Sequence, residues 1–186
     1  MQKVKKIQKF SSKHPSFFAI VSHKVCSKGA VDMKKILFVC LGNICRSPLA
    51  HGIAEHISKK QQFNYEIDSA GTSNWHTGEA PCTHSITIAQ HHHIDISKQH
   101  SRTITQNDTT YYDYIIAMDK QNKADMEAFG FQNVHLLGDF GNYKGKDVPD
   151  PYFFTGNHVL DGFEKVYTMV ETCIEELLRK IEDGSL

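Results

Sequence analysis

The chain has 186 residues, a formal net charge of zero from 21 basic and 21 acidic side chains, and 40% hydrophobic residues, which suits one domain with a useful core. Residues 1–32 carry seven lysines against one acid, Asp32, so the remainder stands near −6; this argues against a basic nucleic-acid binder, and no apolar run approaches the ~20 residues of a membrane-spanning helix. The five cysteines are odd in number and include no C-x-x-C pair, which disfavours a zinc or thioredoxin-type site and fits a reducing, cytoplasmic setting.

Residues 1–32 read as a basic N-terminal extension. They are Lys- and Ser-rich with one short apolar patch at 17–21, too short for an ordinary secretory segment, and Met33 resembles a natural start. The expectation is a flexible or non-native tail, with a targeting segment as the alternative, ahead of a domain at 33–186. The run 35–39 is short, apolar and partly β-branched, as in a buried strand. Ser47 and Pro48 look like an N-cap and first residue of a helix over 48–59, where Leu49, Ile53 and Ile57 share a face. A second strand is expected over 63–69, a loop over 71–78 and a helix over 81–93. Residues 94–103 look irregular, and a short helix capped at Thr105 is expected within 105–112. A third strand follows at 114–117, a helix at 120–129 ended by Gly130, and a fourth strand at 134–137. Residues 138–155 form a loop rich in Gly, Asp and Pro, and 157–181 form the longest helix. Strands alternating with helices predict an α/β fold with a parallel sheet, whose ligands bind beyond the carboxyl ends of the strands.

The stretch Cys40-Leu41-Gly42-Asn43-Ile44-Cys45-Arg46 therefore joins a strand end to a helix start. Backbone N–H groups and the helix dipole converge there and favour an anion, including a thiolate. Gly42 and Asn43 tolerate the positive φ that a tight loop needs. Arg46 offers a permanently charged planar fork for two phosphate oxygens. Cys40 is the expected nucleophile, forming a phosphocysteine, while Arg46 and the loop N–H groups hold the equatorial oxygens. Ser47 has two candidate jobs, capping the helix and hydrogen-bonding the Cys40 sulfur. His91, His92 and His93 do not suggest a metal site, because consecutive helical residues diverge by about 100°. No metal or other cofactor is expected.

From Cys40 to Pro48 the sequence resembles the signature loop of the low-molecular-weight protein tyrosine phosphatases. Asp68-Ser69-Ala70-Gly71-Thr72, Ala117-Met118-Asp119 and Asp150-Pro151-Tyr152 resemble further blocks of that family in the same order. The resemblance implies a single three-layer domain with a four-stranded parallel sheet flanked by helices and the phosphate-binding loop after strand 1. It implies hydrolysis of phosphotyrosine in proteins and of aryl phosphates. Asp150 is then the general acid and base, with Asp147 as the nearby competitor, and Pro151 keeps Asp150 extended. Leu41, Gly42, Asn43, Ile44 and Cys45 would line the substrate site, with Trp75 and Tyr152 as rim aromatics suited to a phenyl phosphate and Phe153 flanking the acid. Ser47, Ser69 and Asp119 would support the loop. Cys45 would trap a sulfenic acid on Cys40 as a reversible disulfide. The family's histidine that braces the loop asparagine aligns with Gln99, an amide that could replace it. A phosphotyrosine-containing protein is the expected partner, without nucleic acid or membrane, and the chain is expected to be a monomer or weak dimer.

Three other readings compete. A thioredoxin-coupled arsenate reductase needs a downstream cysteine pair, and Cys82 has no near partner in sequence. A protein arginine phosphatase favours threonine where Ile44 stands. A non-catalytic anion-binding module would not need Cys40, Arg46 and Asp150 together.

Overall fold

A computed structural model describes residues 33–156 and 158–186; the expectations for residues 1–32 fall outside that range. The elements run β1 (Lys34–Cys40), α1 (Arg46–Gln61), β2 (Tyr65–Gly71), α2 (Thr83–His91), α3 (Asp108–Tyr111), β3 (Tyr114–Ala117), α4 (Lys120–Phe129), β4 (Val134–Leu136) and α5 (Val159–Asp183). Short 3-10 turns occupy Leu137–Asp139 and Pro151–Phe153. The sheet has the order β2-β1-β3-β4 and every pairing is parallel.

The central strand β1 is buried on both faces, and its period of two divides the core. Ile36, Phe38 and Cys40 face a cluster built with α1, α2 and α5, while Leu37 and Val39 face Met126, Phe131 and Ile104 on the other side. This gives the expected helix–sheet–helix layers. The apolar stripe of α5 buries Phe163, Val166, Val170, Cys173, Ile174, Leu177, Leu178 and Ile181, the periodicity read from the sequence. Gly130 ends α4 in the left-handed region at φ 119° and returns its N–H to Met126 and Glu127 carbonyls, as a helix-terminating glycine does.

Several boundaries differ from the sequence reading. Helix α1 begins at Arg46, with Cys45 at the cap position and no side-chain capping bond. Ser47 is thus inside the first turn and does not cap it. The short helix α3 is Asp108–Tyr111, and its tie to Thr105 runs the other way: the Asp108 carboxylate accepts from the N–H and Oγ1 of Thr105. Helix α2 is shorter than expected at both ends. His92 lies beyond it, bonded to Glu164 and stacked on Tyr167.

Candidate active site

The site begins where β1 ends. Cys40 pairs in register with Gly71 of β2, and the loop of residues 41–45 turns from there into α1. Its outward carbonyls are caught by the surrounding chain. The Cys40 carbonyl accepts from the Thr72 N–H and the Leu41 carbonyl from the Ser73 N–H, each at 2.9 Å. Gly42 accepts from Ser101 Oγ at 3.0 Å, Ile44 from the Cys82 N–H at 2.6 Å, and Cys45 from Ser85 Oγ at 3.2 Å. Gly71 is needed for this approach, because a Cβ there would lie 2.8 Å from the Leu41 oxygen.

Asn43 is the keystone. It adopts φ 53° and is 1% exposed. Asparagine tolerates that conformation better than most residues. Its Nδ2 donates to Ser47 Oγ and Ser69 Oγ, both at 2.9 Å. Its Oδ1 accepts from the Arg102 N–H at 2.9 Å, and its own N–H donates to Cys40 Sγ at 3.2 Å. Gly42 does not share the positive φ; a side chain there would crowd His76, whose Cδ2 lies 3.0 Å from the Cβ position.

Ser47 Oγ lies 3.1 Å from Cys40 Sγ and 3.4 Å from the Ala70 carbonyl. Because Asn43 Nδ2 occupies an acceptor position on that hydroxyl, its proton is free to point at the sulfur. The nearer sulfur is the better partner. Of the two jobs considered for Ser47, the structure shows the contact with Cys40 and not the helix cap.

The brace of Asn43 also differs from expectation. The group that meets its Oδ1 is the Arg102 backbone, not Gln99, whose Oε1 is buried without a hydrogen-bond partner. Arg102 is held by Asp68 and Asp108, each at 2.9 Å from a guanidinium nitrogen, and by Tyr112 Oη at 3.2 Å. The sequence alone assigns Arg102 no role. The two distant acids that fix it could not be assigned to it from spacing.

Arg46 is 4% exposed and lies between two carboxylates: Nη1 is 2.6 Å from Asp119 and Nη2 is 3.1 Å from Asp150. Burial disfavours its charge, but Cys40, Asp150 and Asp119 outweigh this and raise its pKa above the ordinary value, so the cation is secure. Asp119 has two tasks. Its Oδ1 caps α4 through the Asn122 N–H, while its Oδ2 steers Arg46. The acid loop is clipped to the sheet by Val148, whose N–H reaches the Met118 carbonyl and whose carbonyl accepts from Arg46. Asp150 follows, with Oδ1 accepting from the Tyr152 N–H at 3.1 Å and its side chain about one-third exposed. Asp147 instead accepts from the Lys120 N–H at the start of α4, so of the two acid-loop aspartates Asp150 is the one that meets Arg46. Tyr152, Phe153 and Trp75 are all largely exposed.

Cys45 Sγ lies 2.6 Å from Cys82 Sγ, a contact between residues 37 positions apart that spacing does not reveal. No group of three or more His, Cys, Asp or Glu side chains is arranged for a metal ion among the described residues.

The family model for low molecular weight phosphotyrosine protein phosphatase matches residues 35–185. The chain is 35% identical over 156 residues to the low molecular weight phosphotyrosine protein phosphatase of Sus scrofa, covering 80% of this chain and 96% of the relative. It is 38% identical over 157 residues to the low molecular weight protein-tyrosine-phosphatase YfkJ of Bacillus subtilis, covering 81% and 97%. The crystal structure of YfkJ superposes with a TM-score of 0.76, covering 85% of this chain and all of that one. The crystal structure of a drosophila arginine phosphatase gives 0.73 at 30% identity, covering 79% and 97%.

Proposed function

The chain belongs to the low molecular weight phosphotyrosine protein phosphatase family, and on that premise we propose that it hydrolyses phosphotyrosine in proteins through a phosphocysteine on Cys40. The observation that carries the reading is the convergence on one loop of a thiol, a guanidinium and a carboxylate. Cys40 Sγ is held by the Asn43 N–H and Ser47 Oγ, and Arg46, five residues on from the nucleophile's neighbour Leu41, bonds Asp150.

In this reading the sulfur attacks phosphorus in line. Arg46 and the loop N–H groups bind the equatorial oxygens as charge builds on them. Asp150 protonates the phenolate as it leaves. As carboxylate, it then takes a proton from the water that cleaves the phosphocysteine. Asn43, Ser47, Ser69 and Asp119 touch no reacting bond; they position the sulfur and the arginine. Leu41, Gly42, Ile44, Trp75 and Tyr152 form the substrate's surroundings, and the exposed rings suit an aryl group. Ile44, an alkyl side chain, favours an aromatic phosphate over a guanidinium phosphate.

The partner is a phosphotyrosine-bearing protein, met by a monomer or weak dimer in the cytoplasm, where Cys40 stays reduced. Neither nucleic acid nor membrane enters the reading, and no helix of the described residues is long and apolar enough to cross a membrane. The redox-sensitive thiol of the loop is Cys45.

The test is a side-by-side assay of phosphotyrosine and phosphoarginine peptides with acid-quench trapping of the phosphoenzyme. The expected result is faster turnover of phosphotyrosine, with the label on Cys40 and no turnover in Cys40→Ser. Turnover of p-nitrophenyl phosphate that survives Cys40→Ser, or preference for phosphoarginine, refutes the reading.

A further inference from the structure

A second pair of thiols lies beside the loop, and it does not involve the nucleophile. Cys45 Sγ donates to Cys82 Sγ at 2.6 Å, so a disulfide of about 2.05 Å needs a shift of only about half an ångström. The backbone holds the pair in place from both sides. The Cys82 N–H donates to the Ile44 carbonyl at 2.6 Å, and Ser85 Oγ donates to the Cys45 carbonyl at 3.2 Å. The same Ser85 hydroxyl lies 3.1 Å from Cys82 Sγ. Both sulfurs are free thiols and only partly buried, so a small oxidant has access.

We propose that Cys45 and Cys82 form a dithiol that hydrogen peroxide converts to a disulfide, joining the end of the phosphate loop to the start of α2. The inference is independent of the phosphatase reading, since its readout is a covalent bond and not turnover.

The two sulfurs have distinct roles. The hydrogen bond from Cys45, the largest influence, outweighs burial and with Ser85 pulls the Cys82 thiol below its ordinary value. Cys45 is pushed up by the same contact and by burial. Cys82 also stands at the N-terminus of α2 with Ser85 Oγ 3.1 Å from its sulfur, a position that favours its thiolate as the nucleophile toward the oxidant. The Cys82 thiolate attacks one peroxide oxygen, the O–O bond breaks, and Cys82 becomes a sulfenic acid as hydroxide leaves. Cys45 then attacks the Cys82 sulfur. The S–S bond forms, the S–O bond breaks, and the sulfenic oxygen departs as water with the Cys45 proton. The hydroxide takes up the proton that Cys82 had released. Two thiols lose two electrons and one peroxide becomes two waters. Cys45 is then no longer available to Cys40.

The experiment treats the full chain with hydrogen peroxide, removes the oxidant with catalase, alkylates the remaining thiols with iodoacetamide and maps the peptides without reduction. The expected product is one crosslinked peptide pair containing Cys45 and Cys82, two hydrogens lighter than its parts. Cys45 joined to Cys40 or to any other cysteine, or Cys82 still alkylated where Cys45 is oxidised, overturns the proposal. In Cys82→Ser, peroxide-driven loss of alkylatable Cys45 is expected to slow at least about tenfold. An unchanged rate would show that Cys45 reacts with another partner, and would equally overturn it.

Discussion

Replacing Asn43 separates the backbone demand of the loop from its hydrogen bonds. Asn43→Ala deletes three side-chain bonds at a residue 1% exposed, to Ser47, to Ser69 and from the Arg102 N–H. At about 1 kcal/mol net for each, the loss is about 3 kcal/mol. Alanine at φ 53° adds about 1–2 kcal/mol of left-handed strain. Asn43→Gly loses the same three bonds without strain but adds about 0.5–1 kcal/mol through the freedom of glycine in the unfolded chain. The expected totals are thus about 4–5 kcal/mol for alanine and about 3.5–4 for glycine. Urea unfolding followed by far-UV circular dichroism reads this directly, since a slope of about 2 kcal/mol per molar places the midpoints about 2 M below the parent. Both variants should lose about 10²-fold in kcat on p-nitrophenyl phosphate, because the sulfur and the loop N–H groups drift from alignment. Stability within 1 kcal/mol of the parent in both, or a glycine variant less stable than the alanine variant, would refute the account of Asn43 as keystone.

Asp150→Asn should lower kcat by about 10²–10⁴-fold for aryl phosphates with poor leaving groups and spare those with acidic phenols; equal loss across a leaving-group series would remove Asp150 from the proton-transfer role. In Gly71→Ala the new Cβ falls 2.8 Å from the Leu41 oxygen and 3.2 Å from the Asn43 nitrogen. Backbone atoms cannot swing aside, so thermal unfolding should show about 1–3 kcal/mol of destabilisation together with reduced kcat; a neutral substitution would mean the loop can move outward. Burial, with Glu176 adding to it, pushes the Cys173 thiol up to about 12. The thiolate is therefore scarce until the pH nears that value, and at pH 8 iodoacetamide should leave Cys173 of the native chain unmodified in peptide mapping while labelling it in urea. Labelling at equal rates in both would contradict its buried, protonated state.

Most of the fold was legible because its signals are local. The buried run before Cys40, the period of α5 and Gly130 after α4 each encode their element within a few residues. The start of α1 was misjudged because Ser47 and Pro48 carry the marks of a helix cap, yet the loop is already helical at Arg46. The serine hydroxyl is turned instead toward Cys40 and Asn43, a choice made by tertiary contacts. In the same way Cys40, Arg46 and Asp150 could be proposed from residue type and motif. The Arg102 brace and the Cys45–Cys82 contact depend on where residues 59 and 37 positions apart meet, and spacing does not encode that. Gln99 shows the limit of positional matching. It occupies the aligned position, but its amide oxygen is left unpaired and a backbone N–H does the bracing.

The carbonyls of the loop point outward into bonds with Thr72, Ser73, Ser101, Cys82 and Ser85. Turning any one of these peptides inward breaks a contact with a different part of the chain, so the cradle keeps its form before an anion arrives. The cost of ordering it falls on folding and not on each encounter with substrate. Vanadate or inorganic phosphate therefore meets a finished receptor, and its binding enthalpy reports the contacts alone with little reorganisation. The same arrangement divides the surface into two kinds of position. Loss of the Ser101 or Ser85 hydroxyl, the two anchors that act through side chains, acts on folding and turnover together, whereas Leu41, Trp75 and Tyr152, exposed at the margin, are free to alter which phosphoprotein is preferred without disturbing the cradle beneath them.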